Sequence, residues 1–249
     1  MRIAISGSQG IGKTTVVNDF LANWPNYRVS NGSYRKAIKE KNIPLNKNVT
    51  QAGQWEILQC LLSDIEGLRS SDCVIFDRCA LDNIVYSLWA LGTTSGDITP
   101  EFIEKCAPLI REYMKKIDII FFIPITSVAP VVYEKKEGRD IDPLYAKEID
   151  NIFKAISQLH NENKCPFFEK GDAPPIIEIM GSPRERIEII KLYVNSTGTS
   201  VVEGESVLSS LSDIQLMEGL IHEQLDAKEI EQKQKTGPSI IKSASKPSR

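Results

Sequence analysis

Short apolar runs alternate with stretches of helical spacing from the first residues to about Val194. Arg2 to Ser6 is mostly apolar and stops at a glycine, the pattern of a buried parallel strand. Lys13 to Asn23 follows with an apolar face of Val16, Val17, Phe20 and Leu21, which predicts a helix. Tyr27 to Val29 reads as a short second strand. Gln51 to Leu68 repeats Trp55, Leu58, Leu62 and Ile65 at three- and four-residue steps, again helical. Cys73 to Phe76 is a β-type run that ends at Asp77-Arg78. Helices are predicted over Leu81 to Leu91 and Pro100 to Lys115. Ile117 to Ile123 is the most apolar short run and reads as a central strand. A helix over Pro143 to Glu162, a last strand over Pro175 to Ile179 and a helix over Pro183 to Val194 complete the series.

Such alternation predicts an α/β fold, a parallel sheet covered on both faces with right-handed crossovers. Ligands in these sheets bind at the carboxyl ends of the strands. The glycine-rich loop after the first strand and Asp77-Arg78 after the third both fall there, so they are expected to share one centre. Composition changes after about Asn195. This suggests a domain over 1–195 and a tail over 196–249. Within the tail, Ser206 to Ile230 fits either an amphipathic helix or a disordered appendage.

Composition narrows the function classes. The chain has 249 residues, 41% hydrophobic and 25% charged, as expected of an ordinary globular protein. No apolar run approaches the roughly 20 residues of a membrane span. The opening Met1-Arg2-Ile3-Ala4-Ile5-Ser6 reaches glycine too soon for a signal peptide, so a cytoplasmic location is expected. The five cysteines, Cys60, Cys73, Cys79, Cys106 and Cys165, lack close pairing and read as reduced thiols. With only His160 and His222, histidine-based metal catalysis is disfavoured. A net charge of -3 argues against a broad basic groove for nucleic acid, without excluding a local patch.

Three motifs carry candidate chemistry. Gly7-Ser8-Gln9-Gly10-Ile11-Gly12-Lys13-Thr14 fits the phosphate-loop pattern at every defined position, between a strand and a helix. Its glycines let backbone amides turn toward phosphate oxygens at the positive end of the helix dipole. Lys13 is expected to reach the β- and γ-phosphates and Thr14 to ligate Mg²⁺, with Thr15 adding a hydroxyl contact. Asp77 suits either the Mg²⁺ shell or a general base, and Arg78 offers a planar fork for phosphate. The third motif is the charged stretch Glu134 to Asp142. It reads as a mobile lid over about 134–143 that carries Arg139 across the phosphates, or else as a solvated loop. Weaker candidates are Asn31, Tyr34 and Arg35 after the second strand, and Gln51, Gln54 and Trp55 as a lining for an acceptor, although a tryptophan so placed is more often core. Asp82 and Tyr86 are candidates to orient Arg78, and Gly181, Ser182 and Arg184 to pack on an adenine.

On these motifs residues 1 to about 195 resemble the P-loop nucleoside and nucleotide kinase group, in particular small kinases of the ribosylnicotinamide-kinase and thymidylate-kinase type. The matching residues are Gly7 to Thr15, Phe76-Asp77-Arg78 with Asp82 and Tyr86, and Gly138-Arg139-Asp140 followed by Tyr145 and Asp150. The resemblance implies a three-layer sandwich around a five-stranded parallel sheet of order 2-3-1-4-5, Mg²⁺–ATP as donor and an arginine-bearing lid. It implies transfer of the γ-phosphate to a nucleotide-class acceptor. A branch encoded by tailed phages implies a specific acceptor, 5-hydroxymethyluracil within DNA, as a step of thymine hypermodification. A free deoxynucleoside monophosphate or nucleoside is the alternative, and an acceptor-independent ATPase or switch is the rival class. Association into a homo-oligomer stays open. Deoxynucleoside kinases usually carry a glutamate base after the second strand, where this chain has Asn31-Gly32-Ser33. That departure leaves Asp77 as the base, or an acceptor phosphate that needs none.

Overall fold

The computed structural model describes residues 1–93, 96–126 and 142–201. Five parallel strands make the sheet: β1 Arg2–Gly7, β2 Arg28–Val29, β3 Val74–Asp77, β4 Ile119–Ile123 and β5 Ile176–Glu178, in the order β2-β3-β1-β4-β5. That is the predicted order. β1 lies at the centre, pairing Ala4 with Phe76 of β3 on one side and with Ile120 of β4 on the other. β3 and β4 are buried along their whole length, which explains their unbroken apolar runs. β2 is a two-residue, exposed edge strand.

Helices cover both faces. α1 Lys13–Asn23 and α7 Pro183–Ile190 pack together on one face. α3 Gln51–Ile65, α4 Ala80–Leu91, α5 Pro100–Met114 and α6 Pro143–Asn161 pack on the other, with α2 Ser33–Lys41 laid against α3. The main core fills the second layer, where Ala4, Phe76, Ile120 and Phe122 meet Leu58, Ile84, Ile110 and Phe153. In the first layer Phe20 stacks on Trp24 at 4.5 Å between ring centroids and meets Tyr27 edge-on at 4.9 Å.

Local signals set the helix starts. Thr50, Thr99, Asp142 and Ser182 each accept a backbone N–H at the head of α3, α5, α6 and α7, and the last three precede a proline. α3 stops at Ile65 and α7 at Ile190, earlier than their apolar spacing predicts. The chain then remains on the body: the Trp24 indole donates to Asn195 O at 2.7 Å and Tyr27 OH to Gly198 O at 2.6 Å. α2 is unpredicted. Its sequence is polar and only Tyr34 and Ala37 are buried, so the apolar face is one turn deep.

Candidate functional site

Gly7 ends β1 in a conformation that residues with a side chain rarely adopt. Its φ is 142°, and an added Cβ would lie 2.4 Å from Ile11 Cδ1 and 2.8 Å from Ile123 O. The chain therefore turns off β1 hard against the end of β4, and Ile11 is buried beneath the turn. Gly12, at φ 89°, leads into α1. Ser8 is turned away from the loop's concave side, its hydroxyl donating to Ala146 O on α6 at 2.8 Å. Lys13 folds back so that Nζ donates to Gly7 O at 2.6 Å and Ser8 O at 2.5 Å. Burial, with Arg78 nearby, brings the Lys13 ammonium down to about 7, against the opposing pull of Asp82 and Asp77.

Asp77 closes β3 beside this loop. Its Oδ2 accepts from Thr14 Oγ1 at 2.8 Å and from Arg35 Nη2 at 2.5 Å. Oδ1 is buried and has no hydrogen-bond partner. Tyr34 OH donates to the Asp77 carbonyl at 2.8 Å. Both α2 residues named as weak candidates thus grip the strand end, and α2 is held in turn by Asp64, which accepts from Ser33 N at 3.0 Å. Arg78 follows at φ 89°, a strained value for a residue with a Cβ. Its guanidinium lies over Tyr86, 5.4 Å from the ring centroid. Asp82 does not pair with Arg78. It caps α4 instead, accepting from Ser6 Oγ at 2.8 Å and from Cys79 N at 3.1 Å, and burial pushes its carboxyl up.

A cavity of about 800 Å³ opens along this line. The loop contributes Gln9, Gly10, Gly12, Lys13, Thr14 and Thr15, and the end of β3 contributes Asp77 and Arg78. Gly7, Ser8 and Ile11 shape the loop without lining the cavity. Beyond the loop the cavity continues between α2, α3 and α4, past Tyr34, Ile38, Ile57, Gln54, Asn83 and Tyr86. Asn83 Nδ2 donates to both Gln54 oxygens, the backbone O at 3.0 Å and Oε1 at 2.6 Å. Asn83 Oδ1 is left without a partner.

Some expectations fall elsewhere. Trp55 does not line the cavity. Its ring meets Phe102 edge-on and carries the Lys105 ammonium 3.7 Å from its centroid, joining α3 to α5. Gln51 is also outside the lining, its N–H bonded to Asp97. Ser182 caps α7 through Glu185 rather than facing this cavity. Arg139 and residues 134–141 of the expected lid lie outside the described residues, as do 202–249 of the expected tail. At its end the lid range becomes helix: Asp142 caps α6 and pairs with Lys47. Arg186 on α7, which no motif marked, donates to Ile11 O at 2.9 Å from behind the loop. The five cysteines are free, and no helix among the described residues is long and apolar enough to cross a membrane.

The sheet order and the glycine loop between β1 and α1 define a P-loop fold, the fold of the nucleoside and nucleotide kinases. A family model described as AAA domain matches residues 2–170, and the chain belongs to that family. Comparison with curated proteins gives no match. Among solved structures, the chain is similar to deoxyadenosine kinase from M. mycoides with the products dCMP and dCDP bound. That likeness has a TM-score of 0.52 at 16% identity over 76% of this chain and 96% of that one. The same enzyme with dCTP gives 0.51 at 16% identity, with the same coverage. The NadR protein in complex with NAD and AMP-PNP gives 0.50 at 16% identity, covering 82% of this chain and 51% of NadR. The chain thus spans about half the length of NadR. At this identity the likeness defines the fold.

Proposed function

We propose that the protein transfers the γ-phosphate of ATP to a nucleoside- or nucleotide-class acceptor. The observation that carries this reading is the continuation of the cavity beyond the phosphate loop, into a chamber between α2, α3 and α4. A protein that only hydrolyses ATP needs room for a water there, not for a second ligand. The Gln54–Asn83 pair suits a base edge, since both amides line the cavity and Asn83 Oδ1 has no partner. The similarity to a kinase with dCMP and dCDP bound agrees with this class of ligand.

The donor's triphosphate would lie on the loop amides from Gly10 to Thr15, with Lys13 released from Gly7 O and Ser8 O to reach the β- and γ-oxygens. Thr14 and Asp77 fit a magnesium site. Both offer hard oxygens, and Asp77 Oδ1 is buried without a partner. No cluster of three His, Cys, Asp or Glu among the described residues would hold a metal unaided, so nucleotide oxygens would complete the shell. When bound, the ion would neutralise charge on the transferring phosphoryl group. Arg78 would stabilise the same group from the acceptor side, and Arg139 from the lid. Asp77 also lines the cavity as a carboxylate and would take a hydroxyl proton where the acceptor is not already anionic.

The test is phosphoryl transfer from γ-labelled ATP in parallel to free deoxynucleosides, their monophosphates and DNA containing 5-hydroxymethyluracil. Label on the free species supports a precursor kinase, and label on the DNA alone supports the base-modifying reading. ATP consumed with no acceptor labelled would replace both with an ATPase.

A further inference from the structure

We propose that Arg186 is a positioning residue of the phosphate loop: it holds the Ile11 carbonyl behind the loop and supplies a buried positive charge that the nucleotide's phosphates balance. The proposal rests on the loop being a phosphate site, and not on any acceptor.

Arg186 is 8% exposed. It belongs to the first turn of α7, fixed by the Ser182–Glu185 capping box and by its own N–H to Ser182 O at 3.0 Å. Its guanidinium makes one hydrogen bond among the described residues, Nη1 to Ile11 O at 2.9 Å, and Nε has none. No ion pair among the described residues includes it. A guanidinium cannot shed its proton, so it stays charged where it is desolvated. A buried charge with one neutral partner is unfavourable by itself. Its position accounts for it. Nη1 lies 3.3 Å from where a Gly12 Cβ would be, so the charge is pressed against the backbone of the loop.

Peptide geometry turns this contact into an orientation. In a planar trans peptide the C=O and the following N–H point in opposite directions. With Ile11 O drawn toward α7, the N–H of Gly12 is directed to the other side of the loop. Gly12 lines the cavity there, next to Lys13 and Thr14. One side chain, 175 positions away in sequence, therefore both aims an amide and adds a charge behind it.

The experiment compares binding of Mg²⁺–ATP and of adenosine to the full chain, its Arg186→Met variant and its Arg186→Lys variant, with melting temperatures recorded. The proposal expects Arg186→Met to weaken ATP by about tenfold or more and adenosine by less than about twofold, with Arg186→Lys in between. ATP affinity within about twofold of wild type in a folded Met variant overturns it. So does an equal loss for ATP and adenosine, which is the mark of general loosening. Should the Met variant not fold, Arg186→Lys decides, because it keeps the charge and loses the fork: a selective ATP loss supports the proposal and unchanged binding overturns it. A wild-type chain that binds no ATP would overturn the loop reading and this proposal together. ATP bound without transfer would remove only the kinase reading.

Discussion

Thr14 Oγ1 and Asp77 Oδ2 are 2.8 Å apart, so the first turn of α1 and the end of β3 meet in one hydrogen bond. Arg35 reaches the same oxygen from α2. The carboxylate therefore joins the glycine loop and α1 to α2 across the cavity, with Oδ1 still unpartnered.

Asp77→Asn keeps the shape and removes the charge. Turnover is expected to fall by about 10²-fold or more, while ATP affinity changes by far less, because the loop amides stay in place. Single-turnover transfer beside calorimetric binding separates the two. An unchanged rate would take Asp77 out of both metal and base duty.

Lys13 gives the site a pH signature. In the free loop burial brings its ammonium down to about 7, and bound phosphates favour the charged form. Above that value ATP binding takes up a proton, so affinity falls as pH rises. The slope approaches tenfold per unit between about pH 8 and 9. Below about 7 Lys13 is already charged and imposes no dependence. Calorimetry in buffers of different ionisation heat should register close to one proton taken up at about pH 8, and Lys13→Met should abolish it.

Gly7→Ala tests the loop's geometry. At φ 142° its new Cβ would meet Ile123 O at 2.8 Å, and that atom belongs to the backbone of the central sheet. A destabilisation of about 1–3 kcal/mol is expected, with loss of ATP binding. A melting curve and a binding isotherm suffice, and a variant that binds normally would show that the loop relaxes freely.

What the sequence revealed depended on distance along the chain. The loop from Gly7 to Thr15 was legible because strand, glycines, lysine and helix are contiguous, and the buried runs of β3 and β4 fixed the sheet. α2 was missed because its nine residues are mostly charged, although Tyr34, Ala37 and Ile38 after Gly32-Ser33 carried a short helical signal. The contact of Arg186 with Ile11 leaves no local trace, since it arises only once α7 packs on α1. Trp55 fitted both the core and an acceptor lining, because an amphipathic helix does not reveal which neighbour its edge meets. That neighbour is α5, through Phe102 and Lys105.

Asp64 offers a way to loosen the acceptor side without touching the phosphates. It anchors α2 through Ser33 N, and α2 brings Tyr34 and Arg35 to Asp77. Asp64→Ala removes that anchor at a cost of about 1–2 kcal/mol, felt first as mobility of α2. The acceptor's KM should rise several-fold while Mg²⁺–ATP affinity holds, because no loop residue depends on α2 for its backbone bonds. Asp64→Asn, which retains an accepting oxygen, should restore most of the affinity. Equal losses for donor and acceptor would mean that α2 braces the whole cavity, and the division into a donor half and an acceptor half would fail with it.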